Sequence, residues 1–115
     1  MDYSQLSDFE INKRVAKAIC SEFSINPINR EIYAKGGKER FNPCNNPADA
    51  WPIIIENRIA IIPDTAAGEW VAFNEFTLYE GDWMFASDPT HHSNGKKPLR
   101  CAMETFLMMQ DAKHA

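Results

Sequence analysis

The pattern of hydrophobic and polar positions predicts that the chain opens with an amphipathic helix. Ser7 and Glu10 have the spacing of a capping box, in which each side chain satisfies the free backbone N–H of the other residue. Hydrophobic residues then recur at helical spacing and are expected to form the packing face: Ile11, Val15, Ala18 and Ile19. Four polar residues between them are expected to face away from the core: Asn12, Lys13, Arg14 and Lys17.

Two later regions have the composition of antiparallel strand pairs. Residues 30–41 contain two short extended segments around Gly36 and Gly37, a pair that permits the positive φ values of a tight hairpin. Residues 59–62 and 69–73 are rich in aromatic and β-branched side chains, and a turn-rich connection separates them. Each region therefore predicts a hairpin.

The segment after residue 75 is interpreted as one more hairpin followed by a loop. Residues 76–79 and 83–85 predict its two strands. Residues 86–97 contain several turn formers and predict a long polar loop, of the kind that is either functional or mobile. Two adjacent histidines, His91 and His92, lie in this loop.

A second helix is predicted to begin near Asn46. Asn46 can cap its first turn, with Pro47 in the first helical position and Asp49 where the helix dipole favours a carboxylate. In that register Pro52 removes an intrahelical hydrogen bond at about 3 kcal/mol, so a kink or a later start at Asp49 is expected. The three isoleucines at residues 53–55 are expected to be buried against a sheet.

The last hydrophobic pattern predicts a C-terminal helix that begins near Pro98. Its packing face is expected to hold Leu99, Ala102, Met103, Phe106 and Met109 or Gln110. Together the elements predict an α+β fold, in which a small, mainly antiparallel sheet packs with about three helices in an α/β/α sandwich-like arrangement. The chain has 115 residues, so residues 1–115 are expected to form a single domain.

Composition and charge narrow the classes of partner. Hydrophobic residues make up 44% and charged residues 24% of the chain, as in ordinary globular domains. The net charge of −4 makes nucleic acid an unfavourable partner, because phosphate contacts need clustered Lys and Arg. No apolar run approaches the ~18 residues of a membrane span, and no signal peptide is visible. We therefore expect a cytoplasmic protein that folds alone or as a small homo-oligomer.

The cysteines and histidines are weak candidates for catalysis or metal binding. Cys20, Cys44 and Cys101 are an odd number without close spacing, which favours reduced thiols over a disulfide framework. Cys44 or Cys101 could pair with His91 or His92 as nucleophile and base, but no nucleophile motif surrounds either thiol. The same residues lack zinc-site spacing, so neither metal nor cofactor is expected.

The start of the second helix offers the best candidate ligand site. Asn45, Asn46 and Asp49 form a polar rim next to Trp51, a set that would suit a nucleotide-like or small polar ligand through amide hydrogen bonds and ring stacking. The preferred interpretation of Trp51 and Trp70 is that both fill the core. We expect Trp51 to plug the interior and to hold the asparagine-rich bend rigid.

Four segments of the chain resemble the NinX family of temperate bacteriophages and prophages. They are residues 3–16, 41–54, 98–103 and 106–109, and the resemblance spans nearly the whole chain. It implies a phage α/β/α sandwich domain, encoded in the accessory region of a phage genome, and it carries over no functional residue. Residues 74–96 fit the shared pattern least well.

Three functional hypotheses follow. The first is a non-enzymatic phage accessory protein in the host cytoplasm that binds a host protein. The second is a protein that binds or sequesters a small nucleotide-like ligand against host defence, through Asn45, Asn46, Asp49 and Trp51. The third is a small enzyme that uses Cys44 or the histidines His91 and His92.

Overall fold

The structure is a computed structural model, and it describes residues 2–20, 22–34, 39–75 and 91–113. Within these residues the chain forms a short 3-10 turn, Tyr3–Gln5, and three helices: α1 (Asp8–Ile19), α2 (Pro47–Glu56) and α3 (Pro98–Lys113). The strands are β1 (Phe23–Asn26), β2 (Glu31–Ala34), β3 (Glu39–Arg40), β4 (Ala60–Asp64), β5 (Glu69–Phe73) and β6 (His92–Gly95).

The described strands form two separate antiparallel sheets. The first has the order β1-β2-β3 and the second the order β4-β5-β6. The antiparallel pairs β2-β3 and β4-β5 are the two pairs that the sequence predicts, although residues 35–38 of the first connection lie outside the described residues. The α+β class, with three helices and antiparallel pairing, is confirmed, and the strands divide into two small sheets where one was expected.

Helix α3 lies at the centre of the packing. Its residues 101–107 are all buried, because α3 packs on α1, on α2 and on the strands of the second sheet. The Thr105 hydroxyl donates a hydrogen bond of 3.1 Å to the carbonyl oxygen of Ala72 on β5. Helix α1 also packs on β2, so α1 and α3 connect the two sheets, and buried side chains of the three helices and both sheets form one cluster.

Helix α1 begins where the sequence predicts, and its buried face differs from the expected one. The Ser7 hydroxyl oxygen accepts a hydrogen bond of 3.2 Å from the backbone N–H of Glu10, which confirms the N-cap. Asn12 was expected to face away from the core and is 6% exposed. Ala18 and Ile19 were expected to pack and are exposed, whereas Ile11, Val15 and Ala16 are buried.

Helix α2 begins at Pro47 and continues through Pro52 without a later start. The side chain of Asn46 accepts a hydrogen bond from the backbone N–H of Ala48, so the predicted cap is confirmed. The expected start at Asp49 is wrong, because α2 begins at Pro47, and the alternative of a kink at Pro52 stays a prediction. Helix α2 packs on α3, and Ile53 and Ile54 are buried, whereas Ile55 is 56% exposed, so the expected burial of all three isoleucines against a sheet is wrong.

The predicted loop at residues 86–97 is corrected over part of its length. His92–Gly95 forms β6, which pairs with β5 through the register Ala72↔Ser93. Ser93 and its neighbours have turn-forming composition, and pairing with an apolar strand overrides that local preference. The strands predicted at residues 76–79 and 83–85, and the first part of this loop, lie outside the described residues.

Candidate functional site

The asparagine-rich bend before α2 is held by its own side chains. Asp49 accepts hydrogen bonds from the backbone N–H of Asn42, at 2.9 Å, and from the Asn46 side chain, at 3.2 Å. Asn12 reaches the bend from α1, where its amide donates to the Asn42 side chain at 2.7 Å and accepts from the backbone N–H of Cys44 at 3.0 Å. Asn46 and Asp49 therefore fix the bend, and their ligand-binding role stays a prediction.

Trp51 does not fill the core. Its side chain is 59% exposed, and Trp70 on β5 is 37% exposed, so the core interpretation of both tryptophans is wrong. Helix α2 presents two neighbouring apolar stripes, and the one that packs inward contains Ala50, Ile53 and Ile54. Trp51 and Ile55 form the other stripe, one helical turn apart and facing outward.

The outward stripe borders an open apolar groove of about 380 Å³. Trp51 and Ile55 form one wall, and Ile61 at the start of β4 forms another. Buried Ile54 and Ile59 also line the groove, so its surface is contributed by a helix, a turn and a strand. We refer to these five residues together with Arg58 as the α2 groove.

Arg58 gives the α2 groove a positive charge and has a strained backbone. The α2 C-terminus has the hydrogen bonds of a Schellman motif, from the Ile59 N–H to the Ile54 carbonyl at 3.1 Å and from the Arg58 N–H to the Ile55 carbonyl at 3.3 Å. Arg58 occupies the left-handed position of this motif with φ 54°, where glycine is the usual residue. It is exposed, and no ion pair joins it to another residue of the described ranges.

Asn45 lies on a different cleft from Trp51. A polar cleft of about 130 Å³ is lined by Asn45, Asn42, Asp8 and the guanidinium-bearing Arg30 and Arg40, among others. Sites for drug-sized ligands typically enclose ~300 Å³ or more. The four residues predicted as one ligand site thus divide between a small polar cleft, a structural bend and the α2 groove.

A partly buried ionic network joins the N-terminus to α3, and the sequence did not predict it. Arg100 donates to Asp8 at 2.7 Å, to Glu104 at 3.2 Å and to the carbonyl oxygen of Tyr3 at 3.1 Å. Lys97 also pairs with Asp8. The i, i+4 spacing of Arg100 and Glu104 was a visible sign of this pair, whereas the distant Asp8 could not be inferred.

The pKa values in this network follow from opposing effects. Burial by itself would raise the pKa of Asp8, but hydrogen bonds from Lys97, Arg100 and Asn45 outweigh burial and hold that pKa below its ordinary value. Burial raises the pKa of Glu104, and the hydrogen bond from Arg100 only partly opposes this effect. The network holds the N-terminal residues against α3, since its donors and acceptors satisfy one another.

The thiols are poorly placed for nucleophilic chemistry. Burial and the neighbouring Asp8 carboxylate raise the pKa of Cys44 to about 12, and burial raises the pKa of Cys101 to about 11. The Cys44 thiol contacts the carbonyl oxygen of Asp8, and the Cys101 thiol contacts that of Trp70, both at 3.9 Å. Both thiols are therefore neutral near pH 7, and neither is hydrogen-bonded to His91 or His92.

The described residues contain no group of three or more His, Cys, Asp or Glu side chains arranged to hold a metal ion. Over the same ranges, no helix combines the length and apolar character that a membrane span requires.

Comparison with protein families identifies the chain. The model of the family described as Bacteriophage P22, NinX, matches residues 2–110. The chain belongs to the bacteriophage NinX family. No curated protein matches it. Family membership confirms the resemblance seen in the sequence segments.

Proposed function

We propose that this NinX-family chain is a non-enzymatic phage accessory protein that binds a host protein through the α2 groove. The main observation in support is the exposure of Trp51. A large aromatic side chain that is 59% exposed loses most of the stabilisation that burial would give it. Tryptophan is also among the residues most enriched at energetically dominant positions of protein interfaces.

The rest of the α2 groove supports the same function. Ile55 is 56% exposed on the same stripe as Trp51, so the exposed apolar surface is continuous along the helix. The groove is open and shallow, which suits an inserted side chain or helix of a partner better than an enclosed small ligand.

Arg58 indicates the chemistry of the partner surface. A guanidinium beside an apolar groove pairs best with a carboxylate that lies next to an apolar anchor residue. A strained backbone at a residue that makes no ion pair in the described part of the chain is typical of a position kept for binding. The partner is therefore a host protein that presents an apolar side chain flanked by Asp or Glu.

Site-specific photo-crosslinking tests this function in infected or expressing host cells. A photoreactive amino acid replaces Ile55 in the full chain, and a control chain carries it at Ile28, which is 94% exposed and lies outside the α2 groove. We expect a light-dependent adduct with one host protein from position 55 and none from position 28. The adduct is identified by mass spectrometry, and the identified protein is then purified.

Calorimetry on the purified pair completes the test. Trp51→Ala is expected to weaken binding by about 30-fold, because a truncated anchor typically removes ~2 kcal/mol or more. Ile28→Ala is the matched control and leaves the affinity unchanged. Binding that survives Trp51→Ala, or crosslinks from position 55 that join two copies of this chain, would overturn the proposal.

A further inference from the structure

A second groove lies between helix α1 and strand β1, on residues that the α2 groove does not use. It is open, has a volume of about 530 Å³ and is lined by Phe23 and Ile25 of β1. The α1 side chains that line it are Glu10, Lys13, Arg14 and Lys17. An apolar strand face is thus joined to three cations and one carboxylate.

Strand β1 has a free edge among the described strands. The sheet order places it outside β2, and the Phe41 N–H donates to the Ile32 carbonyl, so the Ile32 backbone groups point toward β3. The opposed pair Ile25↔Ile32 is therefore a non-hydrogen-bonded pair, and the N–H and C=O of Ile25 point away from β2. Phe23, two residues earlier, has the same orientation.

The cations of the groove are incompletely paired. Lys13 pairs with Glu10 at 3.2 Å. The Nε of Arg14 is buried without a hydrogen-bond partner, and Lys17 has no ion-pair partner, as far as the described ranges extend. That nitrogen is closed to a ligand because it is buried, so a carboxylate in the groove would pair with the terminal guanidinium nitrogens of Arg14 and with Lys17. This excess of positive charge occurs in a chain whose net charge is −4.

We infer that an extended acidic peptide segment of a protein partner binds this groove by adding a strand to the free edge of β1. Main-chain hydrogen bonds to Phe23 and Ile25 hold the peptide backbone. Its apolar side chains pack on the same two residues, and its carboxylates meet Arg14 and Lys17. This surface would make the protein a two-site adaptor, since it does not overlap the α2 groove.

Fluorescence anisotropy with a designed probe tests the inference on the full chain. The probe is a fluorescein-labelled peptide of sequence TETITVTE, in which alternate residues place two Glu, one Ile and one Val on one face of the strand. The control peptide TQTITVTQ keeps the shape and removes the charge. We expect the control to bind about tenfold more weakly, and added salt to weaken the acidic probe more strongly than the control.

Two further comparisons separate strand addition from charge attraction. One version of the acidic probe carries N-methyl groups on the backbone amides of its two central even-numbered residues, Ile and Val. A second version carries them on the two central odd-numbered residues, both Thr. One set points toward β1 and should abolish binding, whereas the other should leave it nearly unchanged. Lys17→Glu should weaken binding about tenfold, and the exposed Lys96→Glu should leave it nearly unchanged.

Four results would overturn the inference: no binding of the acidic probe, equal binding of both peptides, equal effects of the two methylated sets, or insensitivity to Lys17→Glu. Crosslinking from position 55 does not depend on this groove, so failure here leaves the proposed function standing.

Discussion

Replacement of Arg58 by glycine should make the protein more stable and less able to bind its partner. Arg58 has φ 54°, and the left-handed conformation costs a non-glycine residue about 1 to 2 kcal/mol. Glycine removes that strain. Its greater conformational freedom in the unfolded chain lowers the gain in stability by about 0.4 to 1 kcal/mol. The free energy of unfolding should therefore rise by about 0.8 kcal/mol, and Tm by roughly 3 °C.

Arg58→Ala provides the matched control, because alanine removes the charge and keeps the backbone strain. Urea unfolding followed by circular dichroism should place Arg58→Ala within about 0.5 kcal/mol of the natural chain, as is usual for exposed sites. Both variants should lose affinity for the host partner, since both lack the guanidinium. Equal unfolding free energies for Arg58→Gly and Arg58→Ala would refute the assignment of strain to this position.

Three further predictions concern the bend before α2, the ionic network around Arg100 and the thiols. Asn46→Ala should lower the free energy of unfolding by about 1 kcal/mol in urea titrations, because it removes the cap of α2; an unchanged value would contradict that role. Burial raises the pKa of Glu104 above its ordinary value, so ionising this carboxyl costs more in the folded chain than in the unfolded chain. The stability of the natural chain relative to Glu104→Gln should therefore rise as the pH falls from 7 through the raised pKa toward 4.5; a relative stability that is the same at pH 7 and pH 4 would count against it. Under native conditions at pH 8, iodoacetamide should modify half-buried Cys20 before buried Cys44, and the reverse order by mass spectrometry would be inconsistent with a pKa near 12 for Cys44.

The parts of the fold that the sequence predicts are those fixed by local chemistry. Ser7 caps α1 and Asn46 caps α2, because a cap depends on a few adjacent residues. The β4-β5 pair follows from two apolar strands with a short connection. Strand β1 was missed, since its Ser and Asn residues interrupt the apolar pattern and its order depends on pairing with β2.

There is a physical reason why the sequence did not predict the outward position of Trp51. Helix α2 has two apolar stripes, and the hydrophobic pattern of the helix allows either stripe to pack against α3. Tertiary packing buries the stripe of smaller residues, Ala50, Ile53 and Ile54, which allows α2 to approach α3 closely. The burial of Asn12 is decided in the same way, since its amide finds partners 30 residues or more away.

The most direct test of the central claim is the fluorescence of Trp51 alone. A chain with Trp70→Phe and Trp83→Phe leaves Trp51 as the single tryptophan, and iodide quenching measures the access of solvent to its ring. An exposed indole should emit close to tryptophan in water, be strongly quenched by iodide, and shift to shorter wavelength when the host partner binds. A blue-shifted emission in the free chain that iodide does not quench would contradict the claim that Trp51 is presented for binding.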